Sequence, residues 1–296
     1  MKMYEVGGCV RDEILGVPSK DIDFAVVLDE TDYVEGSLWV PPFVMMVTNL
    51  KQMGFKIFLE TPEYFTVRAQ FPRELTEASY SVPASVFEMR NGLTADFVLA
   101  RKERGYADGR RPDSVEVGTL EDDLARRDFT MNAIAKDTDG TLIDPFGGVA
   151  DIEKRVIRAV GDPLERLAED ALRAVRAIRF AVTKGFSIDP ELEAALDNRE
   201  ICEKIKHKIS DERIQVELSK MFRYDTISSL YELSKRNRLT TAMFSGSVSL
   251  DATMKTRGRG EPPRRQKQKP NLPEARNGCG CSCHSSPHVM HMAACC

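Results

Sequence analysis

The sequence predicts an α+β protein that consists of a mixed sheet with helices, an all-helical part and a disordered tail. Residues 1–147 alternate short β-branched and aromatic runs with turns rich in Gly, Pro and Asp. Residues 148–238 repeat apolar positions every three or four residues, which is typical of helices. Residues 239–296 show neither pattern and accumulate Ser, Gly, Pro and basic residues, and about 245–296 is expected to be largely disordered in the absence of a ligand. We take these three ranges as the predicted domains.

The first part contains candidate strands and one short helix ahead of the second strand. The helix is predicted over 10–15, because Gly16-Val17-Pro18 directly after it is a helix-ending combination. The strands are short apolar runs between turn residues, which favours a mixed sheet. They are predicted at 3–6, 21–28, 55–59, 66–71, 94–99 and 142–143.

The second part is predicted to contain three helices. An apolar stripe over 164–182 indicates one continuous helix, which ends at Lys184-Gly185. A second helix is expected over 190–198, with Pro190 in the first turn, where proline is favoured. Ser210-Asp211-Glu212 predicts the start of a third, reaching about residue 237 with a break near Arg223.

The composition is that of a soluble globular protein, with 42% hydrophobic and 30% charged residues. No uninterrupted apolar run approaches the roughly 18 residues of a membrane span, so we expect no membrane partner. The first residues begin a strand and do not resemble a signal peptide, which favours a cytoplasmic location. The sequence leaves the oligomeric state open.

Charge and cysteine are concentrated near the C-terminus. The net charge is −4, yet residues 239–296 carry eight basic and three acidic side chains, including a basic run at 257–269. This run could attract RNA phosphates or be a solvated linker. Five of the seven cysteines also lie in this tail, so the rest shows no disulfide framework. The Cys/His-rich end could bind zinc or be a non-native extension.

The first motif with chemical meaning is Gly7-Gly8-Cys9-Val10-Arg11-Asp12, followed by Asp21-Ile22-Asp23. A Gly-Gly turn lets backbone N–H groups approach a phosphate, and Asp21 and Asp23 point to one side of a strand. Two such carboxylates beside an anion-binding turn can hold divalent cations against a triphosphate. The alternative is a βαβ turn with acidic residues at a strand edge.

Two further motifs carry arginines. In Arg126-Arg127-Asp128-Phe129-Thr130-Met131-Asn132-Ala133, adjacent guanidinium groups suit triphosphate or ribose contacts, although a solvated helical face is the alternative. In Glu169-Asp170-Ala171-Leu172-Arg173 and the residues after it, Asp170, Arg173 and Arg176 share an arc opposite the apolar stripe, flanked by Arg179. Asp170 and Arg173 are expected to pair as helical neighbours and to face a base edge, or to form only an intrahelical ion pair.

Together these three motifs resemble the class II tRNA nucleotidyltransferase and bacterial poly(A) polymerase family of the DNA polymerase beta superfamily. The resemblance covers about residues 3–222, the family's nucleotidyltransferase head and helical neck. It implies that an RNA 3′-hydroxyl attacks the α-phosphorus of CTP or ATP and releases pyrophosphate. The implied activity is template-independent addition of CCA to tRNA.

The resemblance also implies roles for individual residues. Asp21 and Asp23 would be the catalytic carboxylates that hold two Mg²⁺ ions, and Asp96 would be a third carboxylate or an ordinary strand acid. The implied nucleotide contacts are made by Gly8, Arg11, Arg127, Asp170, Arg173, Arg176 and Arg179. Among these, Asp170 and Arg173 would read CTP and ATP.

Several alternatives remain within and outside the family. The region 54–65 lacks the basic and aromatic segment typical of a poly(A) polymerase, which favours CCA addition. A poly(A) polymerase or a CC-adding or A-adding specialist on RNA 3′ ends remains open. So does an inactive RNA-binding relative. The family normally continues into helical body and tail domains, and residues beyond about 237 do not resemble them.

Overall fold

A computed structural model describes residues 1–19, 21–29, 40–73, 92–106 and 112–244. The predictions of a disordered tail, a basic RNA-attracting run and a zinc site concern residues beyond 244, outside the described part. The described residues form one compact unit with a sheet at the N-terminal end and helices after it.

A mixed sheet forms the first part, as predicted, and it has seven strands, one more than the six predicted. Its strands lie in the order β3-β4-β5-β2-β1-β8-β9. The central pair β2 and β5 is parallel, and the other neighbours are antiparallel. The bounds are β1 Lys2–Val6, β2 Asp23–Val27, β3 Lys56–Thr61, β4 Thr66–Gln70, β5 Thr94–Leu99, β8 Ala135–Lys136 and β9 Leu142–Ile143.

Three helices lie against or beside this sheet: α1 Gly8–Ile14, α2 Pro42–Gln52 and α3 Leu120–Ala125. The apolar residues of α2 pack on one face of the sheet, where the rings of Phe24 and Phe97 stack with centroids 5.1 Å apart. The second predicted strand begins at Asp23 rather than at 21, so Asp21 lies just outside it.

The helical part begins with α4 Gly148–Lys154, directly after the predicted boundary at 147. It continues with α5 Pro163–Glu169, α6 Leu172–Lys184, α7 Pro190–Leu196, α8 Arg199–Lys208, α9 Asp211–Tyr224, α10 Thr226–Ser234 and α11 Asn237–Met243. The predicted proline start of α7 and the break after α9 are confirmed. Helix α11 extends past residue 238, with Leu239 and Met243 buried in the core.

The prediction of one helix over 164–182 is wrong, because the chain breaks between α5 and α6 at Asp170. Asp170 adopts an extended backbone with φ −141° and ψ 101°. Its Oδ1 accepts the N–H of Leu172 at 3.1 Å, so its side chain caps the start of α6. Leu164 is correspondingly half exposed rather than part of the buried stripe.

Other elements were not predicted, because their sequences are weakly patterned. They include the charged hairpin β6 Arg101–Arg104 with β7 Ser114–Val117, and the short parallel pair β10 Val156–Ile157 with β11 Ser187–Ile188. Helices α2 and α8 were also missed, although both bury apolar residues at helical spacing, such as Phe43 and Val47 in α2 and Ile201 and Ile205 in α8. No helix among the described residues is long and apolar enough to cross a membrane.

One hydrophobic cluster joins the sheet end to the helices. Cys9 and Val10 of α1 and Phe129 pack in the same buried cluster as Val175 and Ile178 of α6. The predicted domains 1–147 and 148–238 therefore share a core. This shared packing fixes the position of α6 beside the Gly7-Gly8 turn.

We expect Gly148→Ala to destabilise the fold by about 1–3 kcal/mol through overpacking. A Cβ atom at this position would overlap the carbonyl oxygen of Thr130 and lie 2.9 Å from Cγ1 of Ile134. Urea unfolding of the full chain measures the change. Gly8→Ala is the matched control, because its Cβ would meet only Arg11 Nη2 at 3.6 Å. Equal stability of the two variants would contradict the packing described here.

Candidate active site

A cavity of about 560 Å³ lies where the Gly7-Gly8 turn, the segment after α3, and helices α6 and α9 meet. Seven arginines and five aspartates line it. It brings together nine of the ten predicted site residues: Gly8, Arg11, Asp21, Asp23, Arg127, Asp170, Arg173, Arg176 and Arg179. The tenth, Asp96, lies in an adjoining hollow that Asp21 and Asp23 also line.

The Gly-Gly turn is shaped by the close approach of Arg127. Gly7 has φ +80°, and a Cβ atom there would lie 2.6 Å from Nη1 of Arg127. Glycine is therefore required on both conformational and steric grounds. The turn brings Arg127 directly over the backbone that precedes α1.

The guanidinium group of Arg11 is buried and makes hydrogen bonds on two sides. Its Nη1 donates to Oδ1 of Asn132 at 2.5 Å, and its Nε donates to Oδ1 of Asp12 at 2.9 Å. The same Asp12 oxygen accepts from Nζ of Lys184 in α6 at 2.7 Å. These contacts link the first motif to the far end of α6.

The carboxylates of Asp21 and Asp23 have no hydrogen-bond or ion-pair partner among the described residues. Burial raises the pKa of Asp23; the positive charge of Arg127 opposes this, and the nearby Asp96 and Asp21 carboxylates add to the rise. An unneutralised carboxylate pair beside a cationic cavity is a fit for divalent cations.

Asp96 lies opposite Asp23 in the parallel register of β2 and β5. Its two carboxylate oxygens each accept from Arg68, from Nε and Nη2, at 2.7 Å. In the described part of the chain, no group of three or more His, Cys, Asp or Glu is arranged to hold a metal ion. Asp96 as a third catalytic carboxylate stays a prediction that would need Arg68 to move.

The adjacent side chains of Arg126 and Arg127 are both held by one buried carboxylate. Asp123 of α3 is fully buried and accepts from Arg126 Nη2 at 2.6 Å and from Arg127 Nη2 at 3.1 Å. The alternative of a solvated helical face is therefore wrong. The buried Nε of Arg127 has no partner in the described structure, which leaves a donor for an anion.

Asp128 is a buried ion-pair partner that we had not assigned to the site. Its Oδ2 accepts from Nε and Nη2 of Arg176 at 2.8 and 2.6 Å, and its Oδ1 accepts from Asn132 Nδ2 at 2.8 Å. Burial opposes ionisation, but Arg176 and the bond from Asn132 outweigh it and lower the pKa of Asp128 to about 2.

The expected pairing of Asp170 with Arg173 is wrong, because the break at Asp170 separates them. Oδ2 of Asp170 instead accepts from Nη2 of Arg213 in α9 at 2.7 Å. Nη1 of Arg173 donates to Oε2 of Glu169 at 2.6 Å, and its Nη2 donates to the carbonyl of Arg126 at 3.0 Å. Both side chains nevertheless line the cavity.

Two site residues of α9 were missed from the sequence. Arg213 lines the cavity and has a buried Nη1 without a partner in the described structure. Glu217, one helical turn further along, is buried and pairs with Nε of Arg179. Their partners lie about 40 residues away along the chain, so no local spacing in the sequence indicates these contacts.

Comparison with known proteins gives a consistent result. Residues 58–158 match the model of the poly A polymerase head domain. The CCA-adding enzyme of Limosilactobacillus fermentum is 38% identical over 219 residues, covering 74% of this chain and 45% of that enzyme. The chain therefore spans about half the length of the curated relatives it matches.

Solved structures are also similar. The crystal structure of the Bacillus stearothermophilus CCA-adding enzyme in complex with CTP has 32% identity and a TM-score of 0.59, covering 80% of this chain and 48% of that one. A tRNA nucleotidyltransferase complexed with a primer tRNA and an incoming ATP analog has 27% identity and a TM-score of 0.58, covering 83% and 60%.

Asp128→Asn is expected to lower the free energy of unfolding at pH 7 by roughly 2 kcal/mol. The pKa of Asp128 is about 2 in the folded state, against 3.8 for the free group. The stabilisation is therefore complete above about pH 4 and is lost as the pH falls towards about 2. Urea unfolding of both proteins between pH 2.5 and 7 should show curves that converge on acidification. In the background of Arg176→Met, Asp128→Asn should lower the free energy of unfolding much less. An equally large decrease in that background would contradict the ion pair.

Proposed function

Since the chain belongs to the tRNA nucleotidyltransferase and poly(A) polymerase family, we propose that it adds C, C and A to the 3′ end of tRNA from CTP and ATP without a template. One observation carries this proposal: two unpaired carboxylates, Asp170 and seven arginines, including Arg173, line one cavity. The arginines would bind the triphosphate, and Asp21 and Asp23 would hold the metal ions for the transfer. Asp170 and Arg173 would recognise the base.

Asp21 and Asp23 are the residues that would hold two Mg²⁺ ions. Neither carboxylate is neutralised by a partner among the described residues, and both border the cavity. When bound, the ions would activate the RNA hydroxyl and offset charge on the departing pyrophosphate. The remaining requirements, binding the triphosphate and choosing the base, are met by side chains of the chain itself.

The triphosphate would be bound by arginines whose acidic partners lie behind them. Asp123, Asp128 and Glu217 anchor Arg127, Arg176 and Arg179 from the protein side. Guanidinium groups fixed in this way present their remaining N–H donors without having to order on binding. In the reaction, the RNA 3′-oxygen bonds to the α-phosphorus, and the bond to the pyrophosphate oxygen breaks.

Base choice would follow from the donor and acceptor pattern of Asp170 and Arg173. Cytosine and adenine carry an exocyclic amino group, which can donate a hydrogen bond to a carboxylate. The adjacent ring nitrogen can accept a hydrogen bond from a guanidinium. Uracil and guanine present a carbonyl oxygen at the same place, which faces a carboxylate unfavourably. The position of both residues in the cavity supports the proposal that Asp170 and Arg173 select C and A without a nucleic-acid template.

The direct test is incubation of the purified chain with Mg²⁺, labelled CTP and ATP, and tRNAs that end before, within or after CCA. We expect stepwise addition of C, C and A followed by arrest. An acceptor-stem minihelix run in parallel separates the chemistry from any grip on the distant tRNA body. Long A tracts on unrelated RNA would favour a poly(A) polymerase, and partial addition would favour a CC-adding or A-adding specialist. RNA binding without incorporation would favour an inactive relative.

Asp23→Asn should reduce nucleotide incorporation by at least about a hundredfold with the fold intact, because the uncharged amide cannot replace a metal-binding carboxylate. The rate of single-nucleotide addition measures this, with circular dichroism as the folding check. Glu153→Gln, an exposed substitution away from the cavity, is the control. A wild-type rate for Asp23→Asn would refute the metal-binding role.

Arg213→Gln should weaken the preference for CTP over UTP roughly tenfold, because Oδ2 of Asp170 would lose its charged anchor. The preference is read from kcat/KM for each nucleotide at saturating RNA. Arg213→Lys keeps the charge and should restore much of it. Unchanged discrimination in Arg213→Gln would show that Asp170 does not depend on this contact.

A further inference from the structure

The ring of Phe180 contacts three arginine side chains at once. Phe180 lies in α6 and is only 3% exposed. The Cζ atoms of Arg179, Arg11 and Arg176 lie 3.8, 5.0 and 5.6 Å from its ring centroid. One of these arginines comes from α1 and two come from α6, so the ring lies where the two helices meet.

These three cations would repel one another unless something balanced them. Each also has polar partners at its edges: Asp12 and Asn132 for Arg11, Asp128 for Arg176 and Glu217 for Arg179. Those partners fix the edges of the guanidinium groups but do not occupy the space between them. The negative electrostatic face of an aromatic ring attracts cations, and Phe180 fills that central space.

The ring itself is fixed in orientation. Phe129 packs against it edge to face, with centroids 5.9 Å apart and planes at 89°. Phe129 is fully buried in the cluster that joins the sheet end to the helices. Phe180 is therefore a rigid platform, and it lines the same cavity as the arginines it contacts.

We propose that Phe180 is a positioning residue that gathers Arg11, Arg176 and Arg179 for binding of a polyphosphate. The inference rests on the proposed function and adds a residue to its triphosphate site. An aliphatic side chain of similar size would fill the volume but would lack the quadrupole that attracts the cations. The electrostatic character of the ring, and not only its bulk, is what the proposal requires.

The test replaces Phe180 in the full chain with 4-fluoro-, 3,5-difluoro- and 3,4,5-trifluorophenylalanine. Successive fluorines withdraw charge from the ring face while keeping its shape close to that of phenylalanine. The probe is inorganic tripolyphosphate, titrated calorimetrically without divalent metal at fixed ionic strength. We expect affinity to fall stepwise with each fluorine, by about three- to tenfold over the series.

The same series at Phe97 is the matched control. Phe97 is fully buried and packs among Phe24, Phe55 and Phe71, and no described guanidinium lies over its ring. The proposal would be overturned if the affinity for tripolyphosphate did not change along the series at Phe180, or if it fell equally along the series at Phe97. It would also be overturned if the unmodified protein did not bind tripolyphosphate.

The outcome is separable from that of the proposed function. A graded loss of tripolyphosphate binding in a protein that adds no C or A would support the role of the ring and refute the activity. Normal CCA addition combined with an unchanged affinity for tripolyphosphate across the series would support the activity and refute the role of the ring.

Discussion

The buried ion pair between Asp128 and Arg176 is the interaction on which the cavity depends. Asp128 also accepts from Asn132, and Asn132 in turn accepts from Arg11, so a continuous series of polar contacts crosses from α1 to α6. Removing any member would leave a buried charge or amide unsatisfied. The arginines can thus crowd together because their counter-charges are built into the protein behind them.

In the function we propose, the same arrangement of fixed counter-charges would make base selection specific. Before a nucleotide is present, Asp170 is paired with Arg213, and Arg173 is paired with Glu169. Both charges are therefore compensated within the protein before a nucleotide binds. A base that matches both side chains can replace or share these contacts, and a mismatched base would leave polar groups unsatisfied.

Sequence patterns predicted much of the head and most of the residues that line the cavity, but not the contacts between them. The alternation of apolar strands and turns located the sheet, because strand and turn preferences act over a few residues. The break at Asp170 was hidden, since the apolar spacing continues across it while the side chain caps the next helix. Likewise Arg213 and Glu217 lie about 40 residues from their partners, and only the packing of α9 on α6 brings them together. Asp128 and Asn132 lay within a recognised motif, but their role as internal counter-charge and relay emerges only from tertiary contacts.

The packing of Cys9 and Val10 in α1 against the cluster that contains Val175 and Ile178 has a consequence for how such proteins can diversify. The sheet has a second cluster of its own, but α1 and α6 share this one, so the two parts of the chain cannot be exchanged freely. If the first part of the chain were replaced by that of a relative, its α1 would pack against side chains of α6 that it had not evolved with. Inheritance of α1 together with α6 is therefore favoured, even where the segments that follow vary.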